Sequence, residues 1–104
     1  MCGILTVYTK DGIKRNKFEK ALRKIDHRGP DNTSFWNSND KKVFMGHTRL
    51  SIIDISEEGN QPMFNESKDI VLVCNGEIYN FKNLRESLLD KGHKFKSKSD
   101  SEVL

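Results

Sequence analysis

Apolar and polar positions alternate along the first stretch of the chain. Gly3 to Thr9, rich in Ile, Leu, Val and Tyr, reads as a strand closed by the Asp11-Gly12 turn. The period then changes. Phe18, Leu22 and Ile25 fall on one face of a helix that runs to about Asp26, and Asn16 with Glu19 predicts a capping box at its start. His27-Arg28-Gly29-Pro30-Asp31 breaks that helix, because a Gly-Pro pair cannot continue it. Phe35-Trp36-Asn37 predicts a short strand, Ser38-Asn39-Asp40 a turn, and Val43 to Ile53 a second strand region interrupted by His47, Thr48 and Arg49.

Ser56 to Asn65, with Gly59, Asn60 and Pro62, reads as loop. Ile70-Val71-Leu72-Val73-Cys74 is an unbroken apolar run, the pattern of a strand buried on both faces, and it ends at the turn signal Asn75-Gly76. Helical spacing returns from Phe81 to Lys91, with Asn80 as cap, Phe81, Leu84 and Leu88 facing inward, and Gly92 as stop. Phe95 belongs to a short extended segment. Ser99-Asp100-Ser101-Glu102 forms another capping box, followed by Val103 and Leu104. A helix of one turn does not support itself, so a fragment of a longer domain is expected. Strands with segregated helices predict an α+β fold.

Composition narrows the function classes. The 104 residues suffice for one small domain, and a mean hydropathy of −0.70 leaves a thin apolar supply for its core. The net charge of +3 comes from basic residues scattered along the chain, which argues for a solvated surface and against a nucleic-acid-binding arm. No apolar run approaches a membrane span, and Gly3 to Tyr8 is too short for the core of a signal peptide. Cys2 and Cys74 form no Cys-x-x-Cys pair and stand at no metal-ligand spacing from His27, His47 or His93, so no metal site is expected. A reducing cytoplasm is the expected compartment.

Four segments place polar chemistry where folding alone would favour apolar residues. Cys2 follows the initiator Met1 directly. Trimming of Met1 would give one residue both a thiol and an α-amine of pKa about 7.7–8.0, a nucleophile with its own base; the alternative is a small residue near a mobile end. Arg49 lies between apolar segments, and its guanidinium suits a substrate carboxylate or an internal ion pair. At Asn75-Gly76 a side-chain amide and a backbone N–H can converge on one oxygen, as in an oxyanion hole, or simply form a turn. Asp100 can bind an ammonium group or favour its helix dipole. Together the four suit a glutamine held at both ends of its amino-acid moiety, with its side-chain amide against the thiol.

The motifs Met1-Cys2-Gly3-Ile4, Arg28-Gly29-Pro30-Asp31, Gly46 to Asp54, Gln61-Pro62-Met63, Asn75 to Asn80 and Ser99 to Val103 occur in order across nearly the whole chain. In this the chain resembles the N-terminal glutaminase domain of the class II glutamine amidotransferases, most closely that of the glutamine-hydrolysing asparagine synthetases. The resemblance implies an Ntn-hydrolase fold, a four-layer αββα sandwich, with residues 1–104 as its N-terminal part. It implies Cys2 as nucleophile and Asn75 and Gly76 as oxyanion hole. Arg49 would hold the substrate carboxylate, the segment Leu50, Ser51, Ile52 and Ile53 would line the pocket, and Glu77 and Asp100 would surround the ammonium.

The resemblance also implies L-glutamine as substrate and a C-terminal synthetase domain as partner. No cofactor is expected in this segment; ATP and Mg²⁺ would serve the synthetase domain, where aspartate is adenylated and ammonia displaces AMP. A homodimer stays open. Two alternatives remain: the glutaminase part of another class II amidotransferase, acting on sugars or peptides or like glucosamine-6-phosphate synthase, and a truncated inactive glutamine-binding module. Leu50 to Asp54 and Glu77 to Asn80 favour the synthetase branch.

Overall fold

A computed structural model describes all of residues 1–104. Its largest unit is an antiparallel sheet of β1 (Gly3–Tyr8), β2 (Asn32–Asn37) and β3 (Val43–Arg49), with β3 in the middle. Gly3 pairs with Thr48 and Tyr8 with Val43 on one side of β3, and Asn32 pairs with Arg49 and Asn37 with Phe44 on the other. β1 and β2 are therefore both edges. Side chains alternate across a strand, so Leu5, Val7, Phe35 and Phe44 share one face. Helix α1 (Arg15–Arg23) lies there, and the core is Phe18, Leu22 and Phe44 with Leu5, Val7, Ile13, Ile25 and Phe35 packed around it. The rings of Phe18 and Phe44 stand 4.9 Å apart and those of Phe18 and Phe35 5.5 Å, offset contacts that add to simple area burial.

Close backbone approaches hold this layer together. A Cβ on Gly29 would stand 2.3 Å from the carbonyl carbon and oxygen of Thr48, so glycine is the one residue that lets the 28–31 segment lie against the end of β3. Beyond the sheet, β4 (Met63–Phe64) and β5 (Val71–Leu72) form a short hairpin, and α2 (Phe81–Asp90) packs against a 3₁₀ turn at Asp100–Val103. No helix is long and apolar enough to cross a membrane. The architecture is α+β.

Several local expectations are corrected. Helix α1 starts one residue before Asn16, with Lys14 in the cap position and no side-chain cap. Glu19 instead accepts from Arg15 Nε at 2.7 Å, a one-turn ion pair. Asn80 makes no capping hydrogen bond either. Ser99 does cap its turn, its hydroxyl accepting the Ser101 N–H at 3.3 Å. Glu102, however, reaches past it to the N–H groups of Lys96 and Ser97, both at 2.7 Å, so the reciprocal arm of the box closes on earlier residues.

The run Ile70–Cys74 is not buried on both faces. Ile70 is exposed and the next four residues are half-buried, because β5 pairs only with β4 and α2 contributes no fully buried side chain. Leu84 of α2 is exposed, while Phe81 and Leu88 are half-buried. The second strand ends at Arg49 rather than Ile53, since the next N–H groups leave the ladder for side chains: Leu50 N–H goes to Cys2 Sγ and Ser51 N–H to Asp31 Oδ2.

Candidate active site

Cys2 sits at the head of β1, opposite the C-terminal end of β3. That antiparallel pairing brings its sulfur to the turn after Arg49. The Leu50 N–H donates to Sγ at 3.2 Å, and Sγ lies 3.6 Å from the Leu50 carbonyl oxygen. Arg28 donates from Nε to the Cys2 carbonyl at 3.1 Å, and Asp31 accepts the Ser51 N–H at 2.7 Å. The Arg28-to-Asp31 motif therefore braces the head of β1 and the turn beside it. Met1 precedes Cys2 and is 72% exposed, open to removal.

A cavity of about 380 Å³ opens in front of the sulfur. Cys2, Arg49, Leu50, Ile52, Ile53, Asn75, Gly76, Glu77 and Asp100 all line it. Ser51 does not: it turns toward a shallower hollow with Asp31 and Asn60. Neither the Asn75 side-chain amide nor the Gly76 N–H is committed to a protein acceptor, and both residues line the cavity. Nothing lies within 4 Å of where a Gly76 Cβ would stand. Asp100 is buried at the wall and accepts the Ile78 N–H at 2.7 Å with Oδ2, tying the 75–80 loop to the terminal turn.

Arg49 is 6% exposed and caged. Nη1 donates to the Ser56 carbonyl at 2.5 Å and to Asn60 Oδ1 at 2.8 Å, and Nη2 donates to the Asp54 carbonyl. A Cβ on Gly59 would stand 2.2 Å from Nη2, so the guanidinium lies directly on that glycine. Three of its five N–H groups are thus engaged by the 54–60 loop. Nε–H and one Nη2–H are left, a two-pronged donor for a carboxylate.

The loop is held from below by Asp54. Its Oδ1 accepts the hydroxyl of Ser56 at 2.6 Å and the Ser56 N–H at 2.8 Å, and Oδ2 accepts the Lys98 N–H at 2.7 Å. These bonds, the Ser56 hydroxyl first, lower its pKa from 3.8 to about 2, with Arg49 adding a smaller pull. A depressed carboxylate stabilises the fold fully above its unfolded pKa and loses that contribution as pH falls through the folded value. Acid unfolding is therefore expected to steepen between about pH 4 and about pH 2. In Asp54→Asn that part of the slope should vanish, read by urea midpoints across the range.

Gln61 and His47 were not singled out by sequence reasoning. Gln61 is buried at the cavity wall, and its Oε1 accepts the Cys74 N–H at 2.6 Å. His47 is buried on the same wall, and burial pushes its pKa below the ordinary 6.5. The signal for both was present, a Gln-Pro pair in one motif and a polar residue inside an apolar strand in another.

Comparison with known proteins gives the family. The profile of the glutamine amidotransferase domain family matches residues 1–104. All of the chain aligns, at 43% identity over 107 positions, with asparagine synthetase [glutamine-hydrolyzing] 1 of Arabidopsis thaliana, covering 18% of that protein. It aligns at 41% over 109 positions with asparagine synthetase [glutamine-hydrolyzing] 1 of Bacillus subtilis (strain 168), covering 17%. It aligns at 39% over 116 positions with Amidase chry2 of Gibberella zeae, again 17%. The chain thus spans less than a fifth of the length of these relatives. Matched from its first residue to its last, it belongs to the glutamine amidotransferase domain family.

Proposed function

We propose that the chain is the glutamine-hydrolysing part of an asparagine synthetase-like enzyme, with Cys2 as nucleophile. The observation that carries this is one cavity of about 380 Å³ with a sulfur, an uncommitted donor pair, a cationic fork and the carboxylates of Asp54, Glu77 and Asp100 on its wall. Arg49 takes the α-carboxylate of glutamine, and Asp100 with Glu77 takes the α-ammonium. Leu50, Ile52 and Ile53 flank the aliphatic stem. Each charged group on the α-carbon then meets its opposite charge, and the neutral side-chain amide is the end left for the sulfur.

After Met1 is removed, the α-amine of Cys2 takes the thiol proton, and the thiolate attacks the side-chain amide carbon. The resulting oxyanion receives the N–H groups of Asn75 and Gly76. As the tetrahedral species collapses, the C–N bond breaks, the ammonium proton passes to the departing nitrogen, and ammonia leaves. Water, giving a proton to the same amine, then attacks the thioester and releases glutamate and the free thiol.

On this reading the remaining layers of a four-layer αββα sandwich and a C-terminal synthetase domain belong to the same enzyme. The synthetase domain would use ATP and Mg²⁺ to adenylate aspartate, and ammonia would displace AMP. The relatives named asparagine synthetase [glutamine-hydrolyzing] favour this acceptor. Two free thiols suit a reducing cytoplasm. Intact mass is expected to show loss of Met1, and an electrophilic glutamine analogue should label Cys2. Labelling confined to Cys74 would overturn the assignment.

A further inference from the structure

Beside the cavity the structure holds an imidazole with no partner. His47 is 1% exposed, and neither Nδ1 nor Nε2 has a hydrogen bond. It stands opposite Ile4 of β1 and Ser34 of β2, two residues before Arg49 on the same face of β3. An imidazole sealed from water with both nitrogens unsatisfied is unfavourable unless something nearby completes it. His47 and Cys74 line the same cavity wall, and the Cys74 backbone favours the protonated ring against the larger effect of burial. A carbonyl does that and an N–H does not.

The other side of Cys74 is already fixed. Its N–H donates to Gln61 Oε1 at 2.6 Å, and the Gln61 carbonyl accepts the hydroxyl of Ser34 at 2.6 Å, from the strand beside His47. No sheet ladder does this work, because β5 stops at Leu72 and pairs only with β4. Side chains must therefore set the position of Cys74, and Asn75 and Gly76 follow it directly.

We infer that His47 is a positioning residue: with Gln61 on the opposite side it clamps the Cys74 backbone, and so fixes where the Asn75 and Gly76 donors meet an oxyanion formed at Cys2. The inference rests on the glutaminase reading above. The neutral ring donates one N–H to the Cys74 carbonyl as the 74–76 segment tightens around bound glutamine. A loosened clamp misplaces the oxyanion donors and leaves the sulfur untouched.

The test compares glutamine turnover with alkylation of Cys2 by iodoacetamide in the full-length protein, the latter followed by peptide mass. Alkylation forms a C–S bond and expels iodide without passing through an oxyanion. His47→Leu is expected to lower kcat about 30–100-fold, at or below the roughly 10²–10³-fold of losing an oxyanion donor outright. KM should stay within about threefold and alkylation within about twofold of the unaltered protein. His47→Asn, whose amide can still donate, should recover about tenfold of the loss. A His47→Leu kcat within about threefold of normal overturns the clamp, as does His47→Asn losing turnover and alkylation together. Should His47→Leu not fold, Gln61→Met tests the same clamp from the other side: a kcat-selective loss supports it and an unchanged kcat overturns it. The unaltered protein separates the two failures, for absence of glutamine hydrolysis there sinks the glutaminase reading itself.

Discussion

Cys2→Ala is expected to abolish glutamine hydrolysis, with a loss of about 10³-fold or more in kcat, while acceptor amidation from free ammonia continues in the full-length protein. The asymmetry follows from where Cys2 stands. Its sulfur reaches the Leu50 N–H at 3.2 Å and the cavity, and its carbonyl accepts from Arg28. The second contact is backbone and survives the change. The first goes with the 3.6 Å contact of the thiol to the Leu50 carbonyl, two weak and partly buried sulfur bonds, so the stability cost should stay near about 1 kcal/mol. A variant that folds, binds glutamine and still uses ammonia isolates the missing step as thiol attack. The assay is glutamate release beside product formation from glutamine and from ammonium chloride. Retained glutamate release would remove Cys2 from the chemistry.

That contrast between backbone and side chain also explains what could be read from the chain. The β1 strand, the core face of α1 and the break at Gly29-Pro30 were legible because hydrophobic period and glycine chemistry act locally. Of the two helix starts, Asn80 does hold the cap position before Phe81, whereas α1 begins at Arg15, ahead of Asn16, and neither asparagine makes a capping bond. The both-faces-buried reading of Ile70–Cys74 failed because an apolar run reports what the residues tolerate and says nothing of what covers them.

The candidate site was legible in its chemistry and less so in its geometry. Cys2, Arg49, Asn75, Gly76, Glu77 and Asp100 converge on one cavity, although 98 positions separate the first from the last in the chain numbering 2 to 100. The sequence could not show that Ser51 turns away, since that depends on Asp31 capturing its N–H. Nor could it show that Gln61 reaches the Cys74 backbone across the β4–β5 hairpin. Such bonds join residues far apart in sequence and leave no periodicity.

Arg49→Ala is expected to raise KM for glutamine and to lower kcat/KM about 10²–10³-fold, by the cost of stranding one partner of a buried charge pair. It should also destabilise the fold by about 3 kcal/mol. Both effects come from one guanidinium. Removing it leaves the carbonyls of Asp54 and Ser56 and the Asn60 side-chain oxygen without their donor, in a loop otherwise held by Asp54. It also removes the two N–H groups that the loop leaves unengaged. Arg49→Lys should rescue little, because a point charge on a flexible stem cannot serve three loop acceptors and a carboxylate at once. Gly59→Ala offers a milder version, pushing on Nη2 without deleting the charge. It should raise KM with a smaller loss of stability. Glutamine kinetics paired with thermal unfolding distinguish the two roles: lost stability with unchanged KM would make Arg49 a pin of the 54–60 loop alone and place the carboxylate elsewhere in the cavity.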